Sequence, residues 1–272
     1  MTTQYNRYEA LHPYTGSKQK SQLRSWILSH LPKPGSYSTY CEPCAGSAAI
    51  LLALPRAKKE ALIEKCENQA ALLKALATSP EVFASRFAGL GETEDDERHL
   101  FHLARWRQVE DLYDDDIDRA KYQFIRNCLS QYSKGETFRA REDAGRKTIN
   151  KRMSLQSFVE KAVRAAKRLQ GVRVVEGCGL DWVWEFDSPK SLTYLDPPYL
   201  HSTRIRTKLY SREMAAKDHE VLLDTARSLR GYVAVSGFEC PLYAERLRGW
   251  RKETIEYRAV RDVKVECLWL NY

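Results

Sequence analysis

The sequence predicts an α/β protein built on a parallel sheet and interrupted by a mainly helical insert. Tyr37 to Cys41 reads as a strand and the small residues Ala45-Gly46-Ser47-Ala48 as a turn. Ile50 to Leu54 begins a buried helix, and Ala61 to Ile63 makes a second strand. Strand, glycine turn, helix, strand is the opening of such a sheet. From about Val82 to Leu169 that rhythm is lost, and from Val172 it resumes.

Each element has its own signal. Leu23, Trp26, Ile27 and Leu31 recur at helical spacing, and Pro32 and Pro34 end that helix. Ala70 to Ala77 gives another helix. The interrupted stretch reads as helices with polar connections, among them Ala120 to Leu129 and Leu155 to Leu169. In the latter, Leu155, Phe158, Val159, Ala162, Ala166 and Leu169 share one face. Ser133 to Lys151, basic and almost free of aliphatic residues, reads as a loop. Strands return at Val172 to Val175, Leu192 to Leu195 and Tyr232 to Val235. A helix spans Ala215 to Leu229 and a short one lies near Leu242 to Leu247, before closing strands at Glu253 to Val260 and Lys264 to Leu270. There is no internal repeat and no low-complexity segment.

With 272 residues, the chain can bury one large core, or one core and a smaller insert. Hydrophobic residues at 43% and charged residues at 29% describe an ordinary soluble protein. The Met1 end is polar and no apolar run reaches the length of a membrane span or signal sequence, so the expectation is a cytoplasmic protein. Seven cysteines, an odd count, point to reduced thiols. Cys41-Glu42-Pro43-Cys44 is a C-x-x-C without a second pair at zinc-ribbon distance, and His99 and His102 fit an exposed helix face, so no metal is implied. The net charge of +8, from 44 basic and 36 acidic residues, suits a polyanionic partner. Acidic residues cluster at Glu92, Glu94 to Glu97 and Asp111 to Asp118, and basic ones from Lys134 to Arg152 and Arg204 to Lys217. A charge run is usually a solvated face. Two basic runs flanking a candidate active-site loop favour a nucleic-acid surface.

That loop is Asp196-Pro197-Pro198-Tyr199, at the end of the apolar run Leu192 to Leu195. The exocyclic amine of adenine is a poor nucleophile because its lone pair is delocalised into the ring. A carboxylate can accept one amine hydrogen, a proline carbonyl the other, and a tyrosine ring offers a stacking face for an extruded base. The bland alternative is a strand ending in a Pro-Pro turn. Other positions divide similarly. Lys18, after Tyr14-Thr15-Gly16-Ser17, can pair with a carboxylate or lie on the surface. Glu42-Pro43-Cys44-Ala45-Gly46-Ser47-Ala48 is a turn at a strand's carboxyl end, where open α/β sheets bind ligands, or a tight turn without one. Glu64 or Glu67 can take a ribose hydroxyl pair, or simply start a solvated helix. Asp181-Trp182 offers an acceptor and an apolar face for a purine, or a helix cap with a core tryptophan.

In this order the elements resemble the Dam-type DNA N6-adenine methyltransferases, which use S-adenosylmethionine, over most of the chain. The resemblance implies a Rossmann-like methyltransferase sheet, mostly parallel with an antiparallel strand near the C-terminus, plus a mainly helical insert. Residues 1–84 and 171–272 would form the S-adenosylmethionine-binding catalytic domain, and 85–170 a helical target-recognition insert. Tyr14, Gly16 and Lys18 look like the family's amino-terminal donor-contacting motif. Glu42, Pro43, Gly46, Ser47 and Ala48 look like its donor loop, and Asp181 like the acidic residue that meets the donor's adenine. Asp196, Pro197, Pro198 and Tyr199 match the catalytic motif in full, Asp196 also bordering the donor. His219, Ser236-Gly237-Phe238, Pro241-Leu242-Tyr243 and Glu266 to Asn271 are similar to its later strands and helices. Ser17 stands where a second glycine is usual, Cys44 where phenylalanine is usual, and Ala48 replaces a glycine. Lys65 falls near the usual aspartate after the second strand, with Glu64 and Glu67 on either side.

The activity so implied is site-specific methylation of the N6 amine of a flipped adenine in double-stranded DNA. RNA adenine methylation, or a catalytically silent DNA-binding regulator with this fold, are the alternatives. DNA contacts are expected from Lys134, Arg139, Arg141, Arg146, Lys147 and Arg152, with Arg204, Arg206 and Lys208 beside the pocket. Most would meet phosphates, while Arg139 or Arg141 is a candidate for reading a guanine edge. A bacterial or phage setting follows, with a companion restriction endonuclease where the enzyme serves restriction–modification.

Overall fold

The computed structural model describes residues 9–14, 16–19, 21–141, 152–200, 214–258 and 263–272. The chain divides into two compact units. One comprises residues 1–7, 18–66 and 172–272, and the other residues 8–17 and 67–171. The second unit thus begins at Glu67, eighteen residues ahead of the boundary expected at 84/85, and it also takes in a piece of the amino-terminal segment.

The first unit opens with α1 (Ser21–His30), β1 (Thr39–Glu42), α2 (Ala49–Ala53) and β2 (Lys59–Glu64). Leu23, Ile27 and Leu28 form the buried face of α1, as their spacing requires. All four residues of β1 are buried, and five of the six of β2, as expected of strands covered on both faces.

The second unit follows with α3 (Glu67–Thr78), α4 (Pro80–Ser85), α5 (Glu94–Glu110), α6 (Asp116–Leu129) and α7 (Leu155–Ala166). Three of these helices, α5, α6 and α7, start where a polar side chain takes an orphan amide. Thr93 and Asp96 make a reciprocal capping box on α5. Asp115 accepts from Asp118 N on α6, and Ser154 from Ser157 N on α7. The core of this unit holds Phe83, Phe87 and Phe124, packed with ring centroids 5.1 to 5.6 Å apart in tilted and edge-on geometries.

The chain then returns to the first unit with β3 (Arg173–Glu176), α8 (Gly179–Trp182), β4 (Ser191–Leu195), α9 (Ala216–Ser228), β5 (Tyr232–Gly237), α10 (Pro241–Arg246), β6 (Arg251–Arg258) and β7 (Val263–Leu270). Among the described residues the strands form one seven-stranded sheet in the order β3-β2-β1-β4-β5-β7-β6. β1 to β5 pair in parallel, and β7 is antiparallel to both β5 and β6. The strand order reverses between β1 and β4. In a sheet of this kind, ligands bind in the crevice outside the carboxyl ends of the strands at that switch point. Asp196 directly follows β4 there, and residues 43 to 48 directly follow β1.

Candidate active site

Register decides which side chains meet near the switch point. β4 and β5 pair Tyr194 with Ala234 and Leu195 with Val235, so one further step sets Asp196 opposite Ser236. β5 and β7 pair Ser236 with Leu268, and Glu266 lies two residues away on the same face of β7. With a side-chain period of two, Tyr194, Asp196, Ser236 and Glu266 therefore share one face of the sheet.

They form one connected cluster with Lys18 and Tyr199. The buried Lys18 Nζ donates to Asp196 Oδ1 at 2.5 Å and to the Tyr199 hydroxyl at 2.7 Å, and lies 3.6 Å from Glu266 Oε1. Tyr199 in turn donates a short hydrogen bond to Glu266 Oε1. Ser236 Oγ donates to Asp196 Oδ1 at 2.9 Å, and the Tyr194 hydroxyl lies 2.9 Å from Ser236 Oγ. The Tyr199 ring meets Phe238 edge-on with centroids 4.6 Å apart, and the Lys18 ammonium sits 4.9 Å from the Tyr199 ring centroid.

Burial acts against the charge on Lys18, but the carboxylates of Asp196 and Glu266 outweigh it and hold the ammonium well above the ordinary lysine range. Burial pushes Glu266 up, with Lys18 pulling the other way. It also raises Tyr199 well above the usual phenol, reinforced by Glu266 and Asp196. Lys18 is thus a fixed cation and Tyr199 a neutral hydroxyl at physiological pH. Two oxygens of the cluster are left over. Among the described residues Asp196 Oδ2 accepts nothing, since both hydrogen bonds land on Oδ1, and Glu266 Oε2 is buried without a partner.

The turn after β1 is pinned from two sides. Ala45 N donates to Ile63 O at 3.0 Å. Gly46 N donates to Glu64 Oε2 and Cys66 N to Glu64 Oε1, both at 2.9 Å. Gly46 and Ala48 both lie in the left-handed region, at φ 51° and 54°; for alanine that conformation costs about 1–2 kcal/mol. Gly179, at the start of α8, packs so tightly on this turn that a Cβ there would stand 1.9 Å from Pro43 O. Asp181, two residues further along α8, is exposed. Burial raises Glu64 above the usual carboxylate range against the backbone N–H groups it accepts. With Gly46 N on one oxygen and Cys66 N on the other, a carboxylate of about four acceptor sites keeps capacity for a vicinal diol. Left-handed turn, diol-competent carboxylate and second acid fit the ribose and adenine of a nucleoside-bearing methyl donor.

Some expectations change. Glu42, expected in the donor loop, has a structural task. It is buried, and its Oε1 accepts from Leu51 N at 2.6 Å and from the Tyr40 hydroxyl at 2.8 Å, so it caps α2 beneath the turn. Lys18, read as a donor contact, is committed to Asp196 and the Tyr199 hydroxyl. Pro43, Ser47 and Pro197 are buried and Pro198 is half-buried. Glu67 starts α3 in the second unit, more than half exposed and paired with Arg119, which leaves Glu64 as the acidic residue at the end of β2. Trp182 is no core tryptophan, being 39% exposed. Tyr14 and Gly16 lie in the second unit, Gly16 at φ 76°.

The basic set divides further. Arg152 is buried; its guanidinium donates to Glu97 Oε2, to Arg139 O at 2.7 Å and to Met153 O at 2.8 Å. Arg141 donates to Glu97 Oε2 at 2.9 Å and to the carbonyls of Gly91 and Glu92. Both arginines hold the helical unit together, and Arg152 is not a DNA contact because its charge is sealed inside. Lys134 and Arg139 are half-buried. Arg146, Lys147, Arg204, Arg206 and Lys208 lie outside the described residues.

Glu266, Ser236 and Phe238 were seen in the sequence as parts of familiar strands without a role. The available signal was Glu266 itself, a charge in an otherwise apolar half of a strand, sharing a face with Leu268 and Leu270.

The chain has no significant match among curated proteins. Among solved structures it is similar to the rRNA methyltransferase aviRa from Streptomyces viridochromogenes, at 13% identity and a TM-score of 0.40, over 92% of this chain and 83% of that one. The family model of the D12 class N6 adenine-specific DNA methyltransferases matches residues 14–237, so the chain belongs to that family and is an adenine methyltransferase.

Proposed function

We propose that the protein methylates the exocyclic N6 amine of an adenine extruded from double-stranded DNA, with S-adenosylmethionine as methyl donor. The observation that carries this reading is the asymmetry of Asp196. Oδ1 is anchored by Lys18 and Ser236, while Oδ2, at the carboxyl end of β4, accepts nothing among the described residues. Oδ2 is the oxygen that takes one amine hydrogen, drawing the nitrogen lone pair out of conjugation. The Pro197 carbonyl takes the other, and the Tyr199 ring, held by its hydroxyl, is the stacking surface.

When bound, S-adenosylmethionine supplies the electrophilic methyl. The residues that would hold it in the sheet unit are Pro43, Gly46, Ser47 and Ala48 of the turn, Glu64 and Asp181. The chain's own contribution is largely positioning, which can supply much of the acceleration. Lys134 and Arg139, together with Arg146, Lys147, Arg204, Arg206 and Lys208, are the proposed phosphate contacts. Extruding the base costs a few kcal/mol, offset by stacking and by hydrogen bonds to its edge.

The test is transfer of labelled methyl to unmethylated duplex DNA and, in parallel, to RNA, with products digested to nucleosides. Label in N6-methyldeoxyadenosine is the expected result, and duplex binding should weaken by roughly a thousandfold from about 50 to 200 mM salt. Label in RNA alone would reassign the substrate. Donor and DNA binding without any label would make the protein a silent binder.

A further inference from the structure

The mechanism above uses Asp196, Pro197 and Tyr199 and leaves Glu266 without a task. Yet Glu266 is the most completely enclosed acid of the sheet unit among the described residues, with 0% exposure. Enclosing a carboxylate costs several kcal/mol unless it is paired. Here the pairing is incomplete: Oε1 accepts from the Tyr199 hydroxyl and lies 3.6 Å from Lys18 Nζ, while Oε2 has no partner among the described residues. Both groups that Glu266 engages belong to the reaction. Tyr199 is the proposed base platform, and Lys18 holds Asp196 Oδ1.

We propose that Glu266 is a positioning residue for methyl transfer, which fixes Lys18 and the Tyr199 hydroxyl and thereby turns Asp196 Oδ2 toward the substrate amine. The inference rests on the methyltransferase reading of this site and goes beyond it.

The geometry supports the assignment in two ways. Lys18 Nζ has two carboxylates within reach, on β7 and after β4. Without Glu266 the ammonium would be drawn wholly to Asp196, where it is free to slide toward Oδ2 and compete with the amine. Glu266 anchors it on the far side. Tyr199 has a single hydroxyl contacted by both Lys18 and Glu266. A ring held at its hydroxyl and braced edge-on by Phe238 at 4.6 Å has little freedom to rotate away from a base. Misplacement by about 1 Å in such a site can cost roughly a hundredfold in rate.

The test compares Glu266→Gln, Lys18→Met and the double variant with wild type. Readouts are steady-state methyl transfer to duplex DNA, S-adenosylmethionine affinity by calorimetry, and melting temperature. Glu266→Gln is near-isosteric, and the double variant removes one charge of each sign, so neither leaves an uncompensated buried cation. Glu266→Gln is expected to lower kcat by roughly 10- to 100-fold, with KM for DNA and donor affinity within about twofold. If Glu266 acts through Lys18, the double variant is no slower than Lys18→Met alone. A kcat for Glu266→Gln within about threefold of wild type, or losses that multiply in the double variant, would overturn the proposal. Failure of the wild type to methylate any adenine would instead bring down the underlying reading, and the proposal with it.

Discussion

Two buried clusters of opposite charge, one in each unit, differ in how completely they are satisfied. In the helical unit a single carboxylate, Glu97, has a donor on both oxygens: Arg141 and Arg152 on Oε2 and Leu155 N on Oε1 at 2.7 Å. In the sheet unit a single ammonium, Lys18, serves two carboxylates, and one oxygen of each remains open among the described residues. A network with every partner in place rigidifies a fold, whereas a partly satisfied one keeps capacity for something else. The closed cluster reads as structure and the open one as chemistry. That distinction, more than burial or charge count, separates the two.

The largest effect expected from breaking the closed cluster is on stability. Glu97→Ala strands the buried Arg152 charge and should cost about 3–5 kcal/mol, read as a lower denaturant midpoint for the helical unit. An equal loss of methyl transfer in protein that is still fully folded would count against a purely structural Glu97.

A pH titration sharpens the same contrast. Burial alone would raise Glu97, but Arg141, Arg152 and the Leu155 amide outweigh it and hold the carboxyl below its ordinary value. A folded-state pKa below the unfolded one gives stability that is present above the unfolded value, about 4.3, and lost as pH falls through the folded one. Wild type should therefore lose stability on acidification below about pH 4 more steeply than Glu97→Gln does. Parallel curves would show that the cluster is not titrating.

The smallest expected effect lies in the turn after β1. Ala48 sits at φ 54° and ψ 33°, and relieving that strain outweighs the extra chain entropy glycine brings. Ala48→Gly should stabilise by about 0.5–1 kcal/mol. A melting temperature that falls would show that the alanine methyl contributes packing worth more than its strain.

How much of this was legible in the sequence follows from how local each signal is. The strand ends, the Pro-Pro turn and the amphipathic face of α7 depend on neighbours within a few residues, and the structure repeats them with small shifts at the boundaries. Glu97 looked like part of a solvated acidic run. Its spacing to Phe101 and Ala104, four and seven residues on, places it on the buried face of α5, and that periodicity was the signal passed over. Arg152 looked like part of a basic patch because its partner is 55 residues away in sequence. Lys18 and Asp196 are 178 residues apart, and Glu266 joins them only through strand register. Such pairings are set by topology, and no local pattern announces them.

The most direct test of the contrast between the two clusters is the single-turnover rate of methyl transfer by Asp196→Asn, measured beside its melting temperature. Asparagine keeps the shape and Lys18 retains Glu266, so the fold should stand while the rate falls by about a thousandfold. A rate near that of wild type, or a loss of rate that only tracks unfolding, would contradict the assignment of the open cluster as the site of chemistry.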